Sequence, residues 1–255
     1  MPTELAYLID MLRAYERSFT ARVIARPPGA IVLDRTLFYP TGGGQLCDLG
    51  TLNTRAGARF PVLEVRKSGD AVLHRIGRAN PSGAPLPVVG EEVVGEIDWD
   101  RRHRHMRLHT AQHLISAAIF QLSGRKTRRA DMEGNGGTID LDGSWPAQTA
   151  WAELLALIHR SLDPPREVRV VQVPRGEWER NPAPRSGAIP LPPHVDPVRV
   201  VEIDGIDRCP CGGTHVRSTD ELGSILLEPP IAQPGGDRVE FRLSEEPVHS
   251  ARVTP

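Results

Sequence analysis

Apolar side chains at Leu5, Leu8, Ile9, Leu12 and Tyr15 recur at helical spacing, which predicts a helix over residues 4–16. The pattern then shortens. Phe19–Ala25, Ala30–Leu33, Phe60–Val65, Ala71–His74 and Val93–Ile97 are β-like runs separated by turn-forming residues, and they predict a small antiparallel barrel ending near residue 95. The Pro/Gly-rich stretch from Pro81 to Gly90 marks a boundary loop. Beyond it, residues 103–122 are the strongest helix candidate, with Leu108, Ala111, Leu114, Ile115, Ala118 and Ile119 on one broad face. Thr138–Leu141 reads as a strand, and Ala147–Leu162 as an amphipathic helix stopped by Pro164 and Pro165. Arg166–Val173 and Val198–Ile203 alternate like strands, and residues 174–197 read as a long Pro-rich connection. Ile225–Leu227 and Val239–Leu243 complete a sheet. Helices mixed with mostly antiparallel strands predict an α+β fold, divided into residues 1–95 and 96–255.

Composition narrows the class. The 255 residues are 39% apolar and 25% charged, which suits one large or two ordinary globular domains. No run approaches the ~20 apolar residues of a membrane span, and the N-terminus lacks the apolar core of a secretory signal. The three cysteines, Cys47, Cys209 and Cys211, are an odd and sparse set that argues against a disulfide framework. Cys209 and Cys211, one proline apart, point instead to metal chemistry in a reducing compartment, with the cytoplasm as default. Net charge is −1, so any contact with nucleic acid must come from local patches. Two are available: Arg101, Arg102, Arg104 and Arg107, then Arg125, Lys126, Arg128 and Arg129. All but two of the basic residues are arginine, a bias that lowers the weight of either cluster.

The segment RLHTAQHLI places His109 and His113 four residues apart on one helix face, where two imidazoles can chelate one ion. A metalloprotease would carry Glu after the first His; Thr110 stands there and excludes that reading. The segment RCPCGGTHV holds a second pair, Cys211 and His215, with Gly212 and Gly213 allowing a tight turn between them. The order His-His, then Cys-His after a long gap, does not match a zinc finger. Cys209 lies six residues from His215 and reads as a neighbouring thiol outside the ligand set. One zinc ion per chain is the expected cofactor, since imidazole and thiolate favour it.

These motifs resemble those of the editing domain of alanyl-tRNA synthetases and of the free-standing alanyl-tRNA editing family. HTAQH and CGGTH carry the resemblance, as do Leu33–Gly50 (LDRTLFYPTGGGQLCDLG), Glu96–Leu114, Glu202–Thr219 and Gly236–Leu243. The likeness runs from about Tyr7 to Leu243, in the medium-length form of the family. It implies a barrel-like N-terminal domain followed by the α+β domain shared with threonyl-tRNA synthetase. It also implies a hydrolase that cleaves Ser, and also Gly, from the acceptor end of tRNA-Ala, with no DNA or membrane partner.

An aminoacyl ester is already activated, so a positioned water and charge stabilisation suffice. Zinc supplies either a more acidic water or carbonyl polarisation. Four protein ligands also make a closed shell, so a pocket-organising role stays open. Thr36 and Gln45 are candidates to read the Ser hydroxyl, and Gly42, Gly43 and Gly44 to let backbone approach the substrate, or simply to turn the chain. No phosphate-loop ending follows those glycines. Arg104 and Arg107 are candidate tRNA contacts. Editing of another pair such as Ser-tRNA-Thr, or a non-catalytic zinc-stabilised tRNA-binding module, are the alternatives.

Overall fold

The computed structural model describes residues 2–78, 83–146, 151–183 and 191–244. Its chain is α+β and divides into two compact units, Met1–His105 and Met106–Pro255. No helix among the described residues is long and apolar enough to cross a membrane.

The first unit does not contain the single helix predicted over residues 4–16. Glu4–Leu5 (β1) is a strand, Ala6–Leu8 is one 3-10 turn, and only Met11–Tyr15 (α1) is helical. Asp10 makes the break. It sits in extended backbone and its carboxylate accepts the Arg13 N–H at 2.8 Å, so it caps a new helix instead of continuing one. Leu5 meanwhile pairs in parallel with Thr36, which lies in β4 (Arg35–Thr36). The remaining strands are β2 (Ser18–Ala25), β3 (Ala30–Leu33), β5 (Gly50–Thr54), β6 (Arg59–Ser68), β7 (Ala71–Ile76) and β8 (Glu92–Ile97). Six of them hydrogen-bond in the order β2-β3-β7-β6-β5-β8 and close on themselves. Val23, Ile31, Leu33, Phe38, Leu52, Phe60, Val65, Val72 and Val93 fill the interior. β5 escapes the hydrophobic pattern because, within GTLNT, Leu52 is the one buried residue.

The glycine-rich segment runs from the end of β3 to β5. Gly42 and Gln45 exchange backbone hydrogen bonds at 3.0 and 2.9 Å around Gly43 and Gly44. Both central glycines have left-handed φ, 56° and 82°, as a two-residue type I′ hairpin requires. Just beyond, Asp48 anchors the segment to Arg102. Both side chains are fully buried; Arg102 Nε donates to the carboxylate at 2.9–3.0 Å and the guanidinium also donates to the carbonyls of Ala14 (2.8 Å) and Leu37. Arg102 is therefore an internal clamp and not part of a basic surface, which corrects its place in the first arginine cluster.

Helix α2 (Trp99–Ser123) is capped by Asp98, which accepts the Arg101 N–H, and it continues into the second unit. Its burial exceeds one broad face: every residue from His105 to Ile119 is buried. Buried polar side chains on such a helix need partners. Gln112 donates to Ser116, and Thr127 donates to Ser116. β9 (Thr127–Glu133), β10 (Gly136–Leu141), β14 (Ile225–Leu227) and β15 (Arg238–Leu243) form one sheet, ordered β14-β15-β10-β9. β11 (Val168–Val173), β12 (Val198–Ile203) and β13 (Asp207–Pro210) form another. α3 (Trp151–Leu162) buries Leu154 and Ile158, as its amphipathic pattern predicts; residues 147–150 of that expected helix lie outside the described residues. The predicted irregular connection over 174–197 contains a short helix, α4 (Arg175–Arg180), which buries Trp178 against Val173, Val198 and Val200.

Candidate metal centre

Two elements of the second unit bring the motif residues together. α2 presents His109 and His113 one turn apart. β13 leads into the loop that carries Cys211 and His215. One ligand atom from each of the four lies within 4.8 Å of all the others. Cys211 Sγ is 3.5 Å from His109 Nε2 and 3.3 Å from His215 Nε2. With Zn–N near 2.0 Å and Zn–S near 2.3 Å, a tetrahedral ion separates N and S by about 3.5 Å, so the donor set fits a metal of that size. Cys209 is not in this group.

The loop between Cys211 and His215 folds back on itself without left-handed backbone at Gly212. Gly212 is not at positive φ, and a Cβ there would meet nothing within 4 Å. The Gly213 N–H points back to Cys211 Sγ at 3.3 Å, and Arg199 holds the loop by donating to the Cys211 carbonyl at 2.5 Å while its own carbonyl accepts the Cys211 N–H.

The imidazoles are oriented from behind. His113 donates Nδ1–H to Asp207 Oδ2 at 2.9 Å, with both side chains almost wholly buried. His215 Nδ1 lies 3.1 Å from Thr110 Oγ1, which also accepts the Val216 N–H. Each contact leaves Nε2 facing the cluster. Such outer partners set the tautomer and ring angle of metal-binding histidines. Burial, and then the positive charge of Arg199, lower the His109 pKa to about 3, and burial likewise holds His215 well below its ordinary value. Both imidazoles are thus neutral, as coordination needs. Burial pushes the Cys211 thiol up, but His113, Arg199 and the Gly213 N–H together outweigh it and hold the thiol below its usual value. Asp207 and Arg199 were not singled out from the sequence, and Thr110 only as a departure from the protease motif. Strand pairing and loop geometry, rather than spacing, place them here.

Comparison with known proteins separates the two halves. Residues 6–101 match the class II (A) tRNA synthetase family, and residues 198–243 match the second additional domain of threonyl and alanyl tRNA synthetases. The alanine–tRNA ligase of Sulfurisphaera tokodaii is 32% identical over 98% of the chain, yet the chain spans only 27% of that ligase. The alanyl-tRNA editing protein AlaX-M of Saccharolobus solfataricus is 34% identical over 88% of the chain, and the chain covers 92% of it. AlaX-M of Methanosarcina mazei is 34% identical, with 89% and 90% covered. The chain belongs to the AlaX-M family of alanyl-tRNA editing proteins.

The other candidate residues of this AlaX-M family member fall in varied settings. Thr36 is fully buried in the first unit. Its hydroxyl accepts the Phe38 N–H and lies 2.9 Å from His74 Nε2. His74 Nδ1 faces the Ile31 carbonyl at 3.1 Å and so carries the proton, which makes Thr36 the donor to His74. Gln45 is also fully buried; Gly42, Gly43 and Gly44 form the hairpin described above. Arg104 is exposed. Arg107 is buried and donates to the carbonyls of Leu222 and Ser244 at 2.8 and 2.9 Å, bracing the end of β15. That burial withdraws it from the phosphate-facing surface expected of it. In the second arginine cluster, Arg125 donates to Ser144 and Arg129 pairs with Asp131 at 2.7 Å, while Arg128 is exposed.

Proposed function

We propose that this AlaX-M family member is a trans-acting deacylase that hydrolyses the ester joining Ser, and also Gly, to the 3′ end of tRNA-Ala in the cytoplasm. The observation that carries this reading is the convergence of His109, His113, Cys211 and His215 in a chain whose extent matches the editing relatives. Water adds across the ester, releasing the amino acid and a free terminal ribose hydroxyl. A zinc ion held by these four side chains would supply Lewis-acid polarisation of the ester carbonyl. Four protein ligands complete a tetrahedral shell, so the same set also suits an ion that organises the pocket.

The selectivity follows from pocket physics. A synthetase pocket shaped for Ala admits Gly and rejects an added hydroxyl poorly. A second site that hydrogen-bonds a hydroxyl spares Ala, which would leave buried polar groups unpaired. We assign that reading to Thr36 or Gln45. With its proton committed to His74, Thr36 would take part as an acceptor. In this reading residues 1–95 are the domain that carries the glycine-rich segment Gly42–Gly44, and residues 96–255 are the domain that carries the metal centre. Exposed Arg104 and Arg128 would meet phosphates of the acceptor stem, giving salt-dependent affinity.

The test is deacylation of Ser-tRNA-Ala, Gly-tRNA-Ala and Ser-tRNA-Thr by purified protein, with and without chelator. Release from the first two, suppressed by chelator, is expected. Release from Ser-tRNA-Thr alone moves the substrate, and no release from any of the three removes the enzyme. Thr36→Val should lose preference for Ser over Ala; unchanged preference removes Thr36.

A further inference from the structure

The stripe of α2 that carries His109 and His113 continues past the metal centre. His109, His113, Ala117 and Gln121 recur every fourth residue, each step adding about 6 Å along the axis. Ala117 and Gln121 line an open cavity of about 420 Å³, where α2 passes the hairpin that joins β12 to β13. Ala117, Phe120 and Ile206 give it an apolar wall. Asp207 lines the same cavity and also accepts the His113 Nδ1–H at 2.9 Å, so the cavity and the metal centre share a wall. The hairpin turn is fixed: the Ile206 N–H donates to the Ile203 carbonyl at 2.8 Å, and Gly205 supplies the left-handed φ of 70°.

Most of the charge around this cavity is already committed. Arg208 Nε donates to Glu202 at 3.0 Å, and its guanidinium lies 4.9 Å from the Trp178 ring centre. Asp207 serves His113. Arg169 differs. It stands 3.6 Å from Glu202, 3.8 Å from Glu167 and 3.9 Å from Asp204, beyond hydrogen-bond length of all three, and its side chain is half exposed. Asp204 is exposed as well. The cavity thus offers one guanidinium and one carboxylate with hydrogen-bonding capacity left, beside an apolar wall that includes an aromatic ring. A ligand that uses all of these has a flat apolar body, an anion and an N–H donor. A nucleotide has them in its base, its phosphate and its exocyclic amine: aromatic rings stack on bases, arginine takes phosphate, and a carboxylate accepts from the amine of cytosine. The volume lies within the range of about 300–1,000 Å³ typical of small-molecule sites. A free amino acid would engage the charged pair and leave most of that volume empty. One to two turns of α2, roughly 6–12 Å, separate the cavity from His113, which is the reach of the next nucleotide along a single strand.

We propose that this cavity binds the unpaired nucleotide that precedes the esterified one in the acceptor end, with its phosphate on Arg169, its base against Phe120 and its amine on Asp204. This rests on the deacylase reading above.

The test uses the full-length, metal-loaded protein with Arg169→Met, Arg169→Lys and Asp204→Ala. Two substrates are compared: Ser-tRNA-Ala, and 3′-seryl-adenosine, which lacks the preceding nucleotide. Arg169→Met should keep its metal and its melting temperature and lose about five- to tenfold in kcat/KM on Ser-tRNA-Ala, with a salt slope smaller by about one. On 3′-seryl-adenosine it should stay within about twofold of wild type, since the contact it removes is absent there. Arg169→Lys, which keeps the charge but not the planar fork, should fall between. Asp204→Ala should lower kcat/KM on Ser-tRNA-Ala about threefold, whereas a surface acting by charge alone would bind RNA more tightly once a carboxylate is removed. Arg169→Met within about twofold of wild type on Ser-tRNA-Ala overturns the proposal. So do equal losses on both substrates, or a gain in tRNA affinity with Asp204→Ala. If wild type releases serine from neither substrate, the deacylase reading fails by itself. Affinity for the trinucleotide CCA against adenosine then decides: tighter binding of CCA, lost in Arg169→Met, upholds the site, and equal affinities or a CCA affinity unchanged in Arg169→Met overturn it.

Discussion

Replacing Asp207 with Ala removes the carboxylate that holds His113 and leaves the four proposed ligands in place. The Asp207–His113 contact is 2.9 Å long between side chains only 3% and 5% exposed, so water does not substitute for it readily. Without Asp207 the Nδ1–H of His113 loses its acceptor, the ring is free to turn, and the tautomer that directs Nε2 to the ion is no longer enforced. Loss of such an outer partner typically weakens metal binding 10- to 100-fold, or about 1.4–2.7 kcal/mol. Asp207→Asn keeps an oxygen acceptor but not the charge, and should fall between wild type and Asp207→Ala. The assay is competition of apo-protein against a chromophoric zinc chelator at neutral pH, with circular dichroism to verify the fold. The same loss should appear as a smaller zinc-dependent gain in stability, since bound ligand stabilises in proportion to RT ln(1 + [L]/Kd). A Kd for Asp207→Ala within threefold of wild type would refute the reasoning, because His113 would then need no partner to act as a ligand.

Arg102→Leu strands the buried Asp48 carboxylate with the Tyr39 N–H as its remaining partner and should cost about 3–5 kcal/mol in chemical denaturation, more than the double variant Arg102→Leu/Asp48→Leu; equal losses would show that the pair carries no desolvation penalty. Burial, partly offset by the Ile31 carbonyl, lowers the His74 pKa from 6.5 to about 4, so the unfolded chain binds the extra proton first as pH falls. Stability from His74 is full above pH 6.5 and is lost toward pH 4, by about 3 kcal/mol, and His74→Gln should flatten that part of the stability–pH curve. Gly212→Ala should be tolerated in both metal binding and stability, since nothing lies within 4 Å of the new Cβ and φ is not left-handed; loss of metal would show that the loop needs more freedom than its geometry implies.

Strongly periodic segments were legible from the chain. Ala30–Leu33, Val198–Ile203 and Ile225–Leu227 are strands at their expected limits, because alternating or continuous β-branched and aliphatic residues leave one face to bury. Segments whose pairing depends on distant partners were not. β5 and β13 carry weak patterns and are strands because β8, β6 and β12 supply their hydrogen bonds. The helix expected over residues 4–16 had the right spacing, but a cap at Asp10 and a pairing at Leu5 outweighed it. Arg102 and Arg107 read as surface charge, since sequence alone does not distinguish a solvated guanidinium from one clamped on Asp48 or on two carbonyls.

By itself, the sequence determined which four residues could share an ion. His109 and His113 are one helical turn apart, Cys211 and His215 are joined by a short loop, and those local spacings depend on backbone geometry alone. The tertiary structure decided everything that acts across the chain. It brought the two pairs within 4.8 Å, set Asp207 behind His113 and Thr110 behind His215, buried the donor of Thr36 against His74, and left Nδ1 of His105 without a partner among the described residues. The physical reason is that a hydrogen bond or an orphaned nitrogen is defined by which distant group arrives, and that is a property of the packed fold and not of spacing along the chain.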